Sequence, residues 1–148
     1  FIRLLINLFV SFSKPQHHLY RDLEVMTNIF SLKTANTILY CKKWQETVDF
    51  YKHHLKLPIT HDSDWFIEFR LTETAHLSVA DERRASIKSS GGAGITLALQ
   101  VEDIAGAWQF LCDSGLKIDP VREHPWGAQV FYFFDPEGHR IEVWSPKK

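Results

Sequence analysis

The sequence predicts an α+β fold in which one unit, a strand, a helix and then paired strands, occurs twice. Three observations carry this. Apolar residues alternate with a period of two near 36–41, 65–71, 75–81, 95–101, 129–134 and 139–144, which is the spacing of half-buried strands. Two intervening stretches space their apolar residues by three and four, as amphipathic helices do. Between the two sets lies KSSGGAG (88–94), the best linker in the chain, because glycine and serine add backbone freedom and little packing.

The first strand is NTILYC (36–41), with Thr37, Leu39 and Cys41 on one face and Asn36, Ile38 and Tyr40 on the other. A helix follows from about Gln45 to Leu55, with Val48, Tyr51 and Leu55 along its apolar side. WFIEFRL (65–71) and AHLSVAD (75–81) are strands joined by Thr72-Glu73-Thr74. Ile67, Phe69 and Leu71 are expected to pack under the helix, leaving Phe66, Glu68 and Arg70 on the opposite face. ITLALQV (95–101) opens the second set, and Asp103 is placed to cap a helix ending at Gly115. QVFYFF (129–134) and HRIEVW (139–144) close the chain through Asp135-Pro136-Glu137-Gly138, where proline presets φ and glycine permits positive φ. Superimposed, the halves place Thr96 on Asn36. After a small indel they place Arg140 on His76 and Glu142 on Ser78.

With 148 residues the chain has room for one ordinary domain with a hydrophobic core. Its 45% hydrophobic and 24% charged content argues against disorder, collagen or a membrane bundle. A net charge of −1 leaves no basic stripe to replace phosphate counterions, so no nucleic-acid partner is expected. Cys41 and Cys112 read as core thiols, which suits a reducing, cytoplasmic compartment. The opening run FIRLLINLFVSF has roughly ten apolar residues, too few to span a bilayer, and SKPQHHLYRDLEV after it offers no small-x-small cleavage site. No membrane partner is expected. Met26 is read as the start of the native domain, with 1–25 as upstream or fragmentary sequence and 26–148 as one domain of half-modules 34–87 and 94–146. An apolar docking helix is the alternative for the opening run.

FYFFDPEGHRIEVW, preceded by Pro125-Trp126-Gly127, resembles the closing hairpin of the vicinal oxygen chelate superfamily of glyoxalases, bleomycin resistance proteins and dihydroxybiphenyl dioxygenases. TILYCKKWQETVDFYKHHLKLP, with its Phe50-Tyr51 pair, is similar to the opening strand and helix of that family. GITLALQVEDIAGAWQFLCDSGLKI is similar to the same unit opening a second half, and together these segments cover nearly all of 34–146. The resemblance implies two βαβββ modules that form a curved, partly open mixed sheet around a central pocket, in a homodimer. In metal-using members a histidine or glutamine opens each first strand and a glutamate lies on each last strand. Here those positions hold Asn36, Thr96, Ser78 and Glu142, and Lys56 stands where the family has a glycine at the first helix end.

A divalent zinc, nickel, manganese or iron ion would need several imidazole or carboxylate groups converging from different strands. Of the four positions only Glu142 is a strong ligand, so weak metal binding or none is expected, with His76 and Glu68 as possible substitutes. Strand phase places Arg140 and Glu142 on the face toward the pocket. His76, Ser78, Glu68, Arg70, Tyr40, Gln100 and Tyr132 join them, with Phe134 beside. Apolar walls with a few fixed polar groups suit a small aromatic or amphiphilic ligand. Binding of such a molecule without a catalytic metal is the leading reading. Enzyme readings stand beside it: a divalent-metal-dependent lyase, isomerase or dioxygenase with an altered ligand set, or a metal-free catalyst with Glu142 as general base and His76 or Tyr40 assisting. A third reading is a partner-binding domain whose pocket is filled by its own aromatics.

Other readings are structural. Glu68, Arg70, Arg140 and Glu142 are alternatively cross-strand ion pairs at a rim. His53 and His54 read as solvated helix surface, His124 as part of a loop covering the pocket, and His17 and His18 belong to the excluded segment. Gly91-Gly92-Ala93-Gly94 is not a phosphate loop, since a strand follows it where a helix would be needed.

Overall fold

The computed structural model describes residues 30–147; the expectations for residues 1–25, Met26, His17 and His18 lie outside them. In order come β1 (Ala35–Cys41), α1 (Trp44–Asp49, continuing as a π-helix over Phe50–His54), β2 (Ile59–Asp62), β3 (Phe66–Arg70) and β4 (Ala75–Asp81). A 3-10 turn at Glu82–Arg84 precedes β5 (Thr96–Gln100), α2 (Ile104–Asp113), β6 (Arg122–His124), β7 (Ala128–Phe134) and β8 (Arg140–Pro146). The strands form two four-stranded mixed sheets, ordered β1-β4-β3-β2 and β5-β8-β7-β6, open and not closed into a barrel. In each, the first strand of the half pairs parallel with the last, and the other pairings are antiparallel. The halves therefore share one topology. Among the described residues no helix is long and apolar enough to cross a membrane.

Both sheets bury the face that the alternation assigns inward. Leu39, Cys41, Ile67, Phe69, Leu77 and Val79 from the first sheet join Phe131, Phe133, Ile141 and Val143 from the second in one core cluster, with Val48, Phe50 and Tyr51 of α1 and Ile104 and Leu111 of α2. Each such side chain contributes about 1.5–3 kcal/mol when fully buried. Leu71 packs against the cluster but stays half-buried.

β2 and β6 carry no alternation and bury little, and the pattern reading did not place them. They are edge strands whose register comes from β3 and β7. His124 therefore sits on β6, paired with Ala128, and not on a loop. The helix read as running to Leu55 changes character halfway. Leu55 N–H donates to the Phe50 carbonyl at 3.4 Å, a π-type turn, and adjacent Phe50 and Tyr51 both bury. Lys56 then holds φ at 52°, the left-handed conformation that the family glycine would supply, and its ammonium lies 5.3 Å from the Phe110 ring centroid. The start of α2 follows the sequence reading: Gly106 N–H donates to Asp103 Oδ1 at 2.9 Å, and Gly115 ends the segment at φ 91°.

The closing turn does more than reverse the chain. Asp135 Oδ1 accepts from the Gly138 and His139 amides, each at 2.9 Å. Its Oδ2 accepts from the Tyr51 hydroxyl at 2.9 Å and lies 2.8 Å from His139 Nδ1. Glu137 accepts from the Lys42 and Lys43 amides at 3.0 and 2.8 Å and from the Ser89 hydroxyl. No side chain of α1's own entry residue caps that helix, so the carboxylate of the other half takes the place of a cap. Burial opposes ionisation of Glu137, but these hydrogen bonds outweigh it and hold its carboxyl below the usual range. KSSGGAG also proves to be more than a linker. Gly92 is buried at φ 81°, and a Cβ there would come within 2.2 Å of the Gly138 carbonyl. The segment is a strap docked on the closing turn.

Candidate functional site

The faces turned away from the helices carry the polar residues. On the first sheet the parallel β1–β4 pairing sets Asn36 beside His76, and the antiparallel β3–β4 pairing sets Arg70 on the other side of His76. The next row is Ile38, Ser78 and Glu68. Asn36 Nδ2 donates to Glu68 Oε2 and lies equally close to Ser78 Oγ, both at 2.9 Å; the Ser78 hydroxyl is 3.0 Å from Asn36 Oδ1. Glu68 Oε1 accepts from the Thr60 hydroxyl at 2.7 Å. Ser78 is fully buried, and Tyr40 and Phe66 continue the same face half-buried. Asn36, Ser78 and Glu68 thus meet as one hydrogen-bonded array, with His76 and Arg70 in the adjacent row and Tyr40 further along the face.

On the second sheet the rows are Thr96, Arg140 and Phe134, then Ala98, Glu142 and Tyr132, then Gln100, Trp144 and Val130. Arg140 Nε donates to Thr96 Oγ1 at 3.0 Å, and its guanidinium carbon lies 5.3 Å from the Tyr132 ring centroid. Trp144 meets Trp126 edge-on at 5.5 Å between centroids, and Trp126 lies 5.3 Å from His124. Trp126 and Phe134 are 54% and 61% exposed. Trp144 was not singled out from the sequence, although its alternation with Arg140 and Glu142 in RIEVW was the signal that could have found it. Gln100 also borders a cavity of about 500 Å³ at the end of the β5–β8 pair, with Val101, Glu102, Ser145, Pro146 and Lys147.

The ion-pair reading of Glu68, Arg70, Arg140 and Glu142 fails. The ion pairs among the described residues lie elsewhere, at Asp81–Arg83, Asp64–Arg84, Asp135–His139, Asp49–His53 and Glu123–Lys147. Glu68 is instead satisfied by neutral donors. His54 also departs from its reading as solvated surface: it is half-buried, with Nδ1 3.1 Å from the Ser114 carbonyl oxygen, and borders a second cavity of about 330 Å³ between the two helix ends.

The four family ligand positions offer one carboxylate, Glu142, beside the neutral amide of Asn36 and the hydroxyls of Ser78 and Thr96. Asn36 and Ser78 spend their polar atoms on each other and on Glu68, Thr96 is engaged by a guanidinium, and no group of three His, Cys, Asp or Glu side chains converges among the described residues. The buried Cys41 thiol is pushed up to about 12, by burial first, which leaves it a core group and no nucleophile. Tyr51 is likewise pushed well above its ordinary value by burial and by Asp135, in keeping with a hydroxyl that donates.

Comparison with known proteins places this geometry. The family model described as Glyoxalase/Bleomycin resistance protein/Dioxygenase superfamily matches residues 33–143. A curated relative, the uncharacterized protein YraH of Bacillus subtilis strain 168, is 26% identical over 127 residues, which covers 77% of this chain and 98% of that protein. The crystal structure of a glyoxalase/bleomycin resistance protein/dioxygenase from Nocardioides superimposes with a TM-score of 0.67 at 19% identity, covering 90% of this chain and 95% of that one. TnmS3, an antibiotic binding protein from Streptomyces sp. CB03234, superimposes with a TM-score of 0.62 at 18% identity, covering 81% of this chain and 98% of its own.

Proposed function

The chain belongs to the Glyoxalase/Bleomycin resistance protein/Dioxygenase superfamily, and from that premise we propose that it binds a small aromatic or amphiphilic molecule on the open faces of its sheets without a catalytic metal. The observation that carries this is the hydrogen bonding at the family's ligand positions: Asn36 and Ser78 are tied to each other and to Glu68, and Thr96 to Arg140. Ser78 is buried and holds Asn36 in place, while the exposed Asn36, Thr96 and Arg140 present fixed polar groups that suit the orienting of a polar organic molecule. The aromatic groups around them, Tyr132, Phe134, Trp144 and Trp126, supply apolar contact area. The likeness to an antibiotic binding protein agrees with a binding role. We further propose a cytoplasmic homodimer; the two free cysteines support the compartment, and the exposed Phe134 and Ile38 support the association.

The test is direct. Calorimetric titration of the purified protein with Ni²⁺, Zn²⁺, Mn²⁺ and Fe²⁺ is expected to give no stoichiometric micromolar binding. Such binding, abolished by Glu142→Ala, would favour a metal-dependent lyase, isomerase or dioxygenase instead. A bound aromatic ligand at 100 times its dissociation constant should stabilise the protein by about 2.7 kcal/mol, readable as a thermal shift.

A further inference from the structure

The open face of the second sheet carries two charged groups of opposite sign, Arg140 and Glu142, neither of which forms an ion pair among the described residues. Arg140 is held at one edge of its fork, where Nε donates to Thr96 Oγ1 at 3.0 Å, and its plane is steadied by the Tyr132 ring 5.3 Å away. Its terminal nitrogens make no ion pair with any described residue. Glu142 lies two residues along the same strand and on the same face, in register with Tyr132. It is half-buried, and no described residue forms an ion pair with it either. Alternate residues on a strand have Cα atoms about 6.4–6.8 Å apart, so the two side chains rise next to each other from one face.

Resting on the ligand-binding reading above, we propose that this face selects an amphoteric aromatic molecule, with an oxyanion at one end taken by the Arg140 fork and a hydroxyl or amine at the other donating to Glu142. Tyr132 and Phe134, the register partners of Glu142 and Arg140, stand on the neighbouring strand of the same face and would supply aromatic contact to the ring. The guanidinium offers the fixed, two-pronged donor geometry that a carboxylate matches. A cation would be repelled at one end and an unsubstituted hydrocarbon would leave both charges unpaired. Arg140 and Glu142 are thereby specificity-determining residues, and neither role needs a metal.

Three naphthalene probes test this by fluorescence titration against the full chain: 6-hydroxy-2-naphthoate, its neutral amide 6-hydroxy-2-naphthamide, and 2-naphthoate, which lacks the hydroxyl. The hydroxy acid is expected to bind roughly tenfold or more tightly than either of the others, the yield of one charge-assisted hydrogen bond. Arg140→Gln should erase the preference for acid over amide while keeping that for the hydroxyl. Glu142→Gln should weaken the preference for the hydroxyl and keep that for the acid. Arg140 is exposed and Glu142 half-buried, and circular dichroism confirms that each variant is folded. Equal binding of acid and amide by the wild-type chain, or an acid preference that survives Arg140→Gln, overturns the proposal while leaving aromatic binding intact. Binding of none of the three overturns this proposal and the ligand-binding reading together.

Discussion

At Lys56 the backbone adopts φ 52°, a conformation in which a Cβ crowds the neighbouring carbonyl and costs roughly 1–2 kcal/mol. The position ends α1, and its neighbour Phe110 receives the ammonium over its ring. Substitution separates the two effects, since Lys56→Ala and Lys56→Gly both lose the cation–ring contact and differ only in what the backbone angle costs. The glycine variant is expected to be more stable than the alanine variant by about 0.5–1 kcal/mol, after allowing for the freedom glycine gains in the unfolded chain. Urea denaturation measures this, and an alanine variant at least as stable as the glycine one would contradict a left-handed Lys56. Departure from the family glycine was legible in the sequence. That the left-handed turn survives it was not, because the angle is set by where the next strand must start.

At the level of elements, α1 is capped from the far half of the chain. Glu137 accepts from the amides of Lys42 and Lys43, and the bonds hold its carboxyl below the ordinary value of 4.5. A carboxyl whose pKa is depressed on folding stabilises the native state fully above the unfolded value and loses that contribution as pH falls through the folded one. Thermal stability should therefore decline as pH drops below about 4.5. Glu137→Gln should destabilise the protein by about 1–3 kcal/mol at neutral pH, and its melting temperature should fall less steeply with acid than that of the wild type. Differential scanning calorimetry at a series of pH values reads both, and parallel pH profiles for the two proteins would remove Glu137 from this role. From the sequence alone Asp135-Pro136-Glu137-Gly138 is a turn, and the turn chemistry is right. Its carboxylates are inter-half anchors only because folding brings residues 42, 43, 51 and 89 to them, contacts of a sequence separation that no local pattern encodes. β2 and β6 escaped for a related reason: short exposed edge strands take their form from a neighbour and not from their own periodicity.

For the molecule as a whole, the two sheets bury their helix-facing sides in one core and leave the opposite sides open. Ile38, Trp126 and Phe134 stay exposed, three large apolar groups on the two sheets that also carry the proposed binding residues. Association that covers them would also shield a bound ligand from water. Sedimentation equilibrium is accordingly expected to return twice the 17.2 kDa chain mass, and a monomer at high micromolar concentration would contradict the proposed homodimer. If the homodimer shields the site, ligand affinity should fall on dilution below the dimer's dissociation constant.

What the sequence determined by itself is the set of strands and helices with long periodic patterns, the duplicated order, the inward and outward faces, the cap at Asp103 and the family. These follow from the geometry of a strand or a helix, which assigns alternate or third-and-fourth residues to a face whatever lies elsewhere in the chain. What only the tertiary structure decided is how the outward residues pair. Glu68 bonds Asn36 and Thr60 in place of an arginine, Arg140 leans on Tyr132 and Thr96, and His54 turns to Ser114. Side chains on one face have several partners within reach, and the choice among them depends on register, rotamer and desolvation, which exist only once the sheets are assembled.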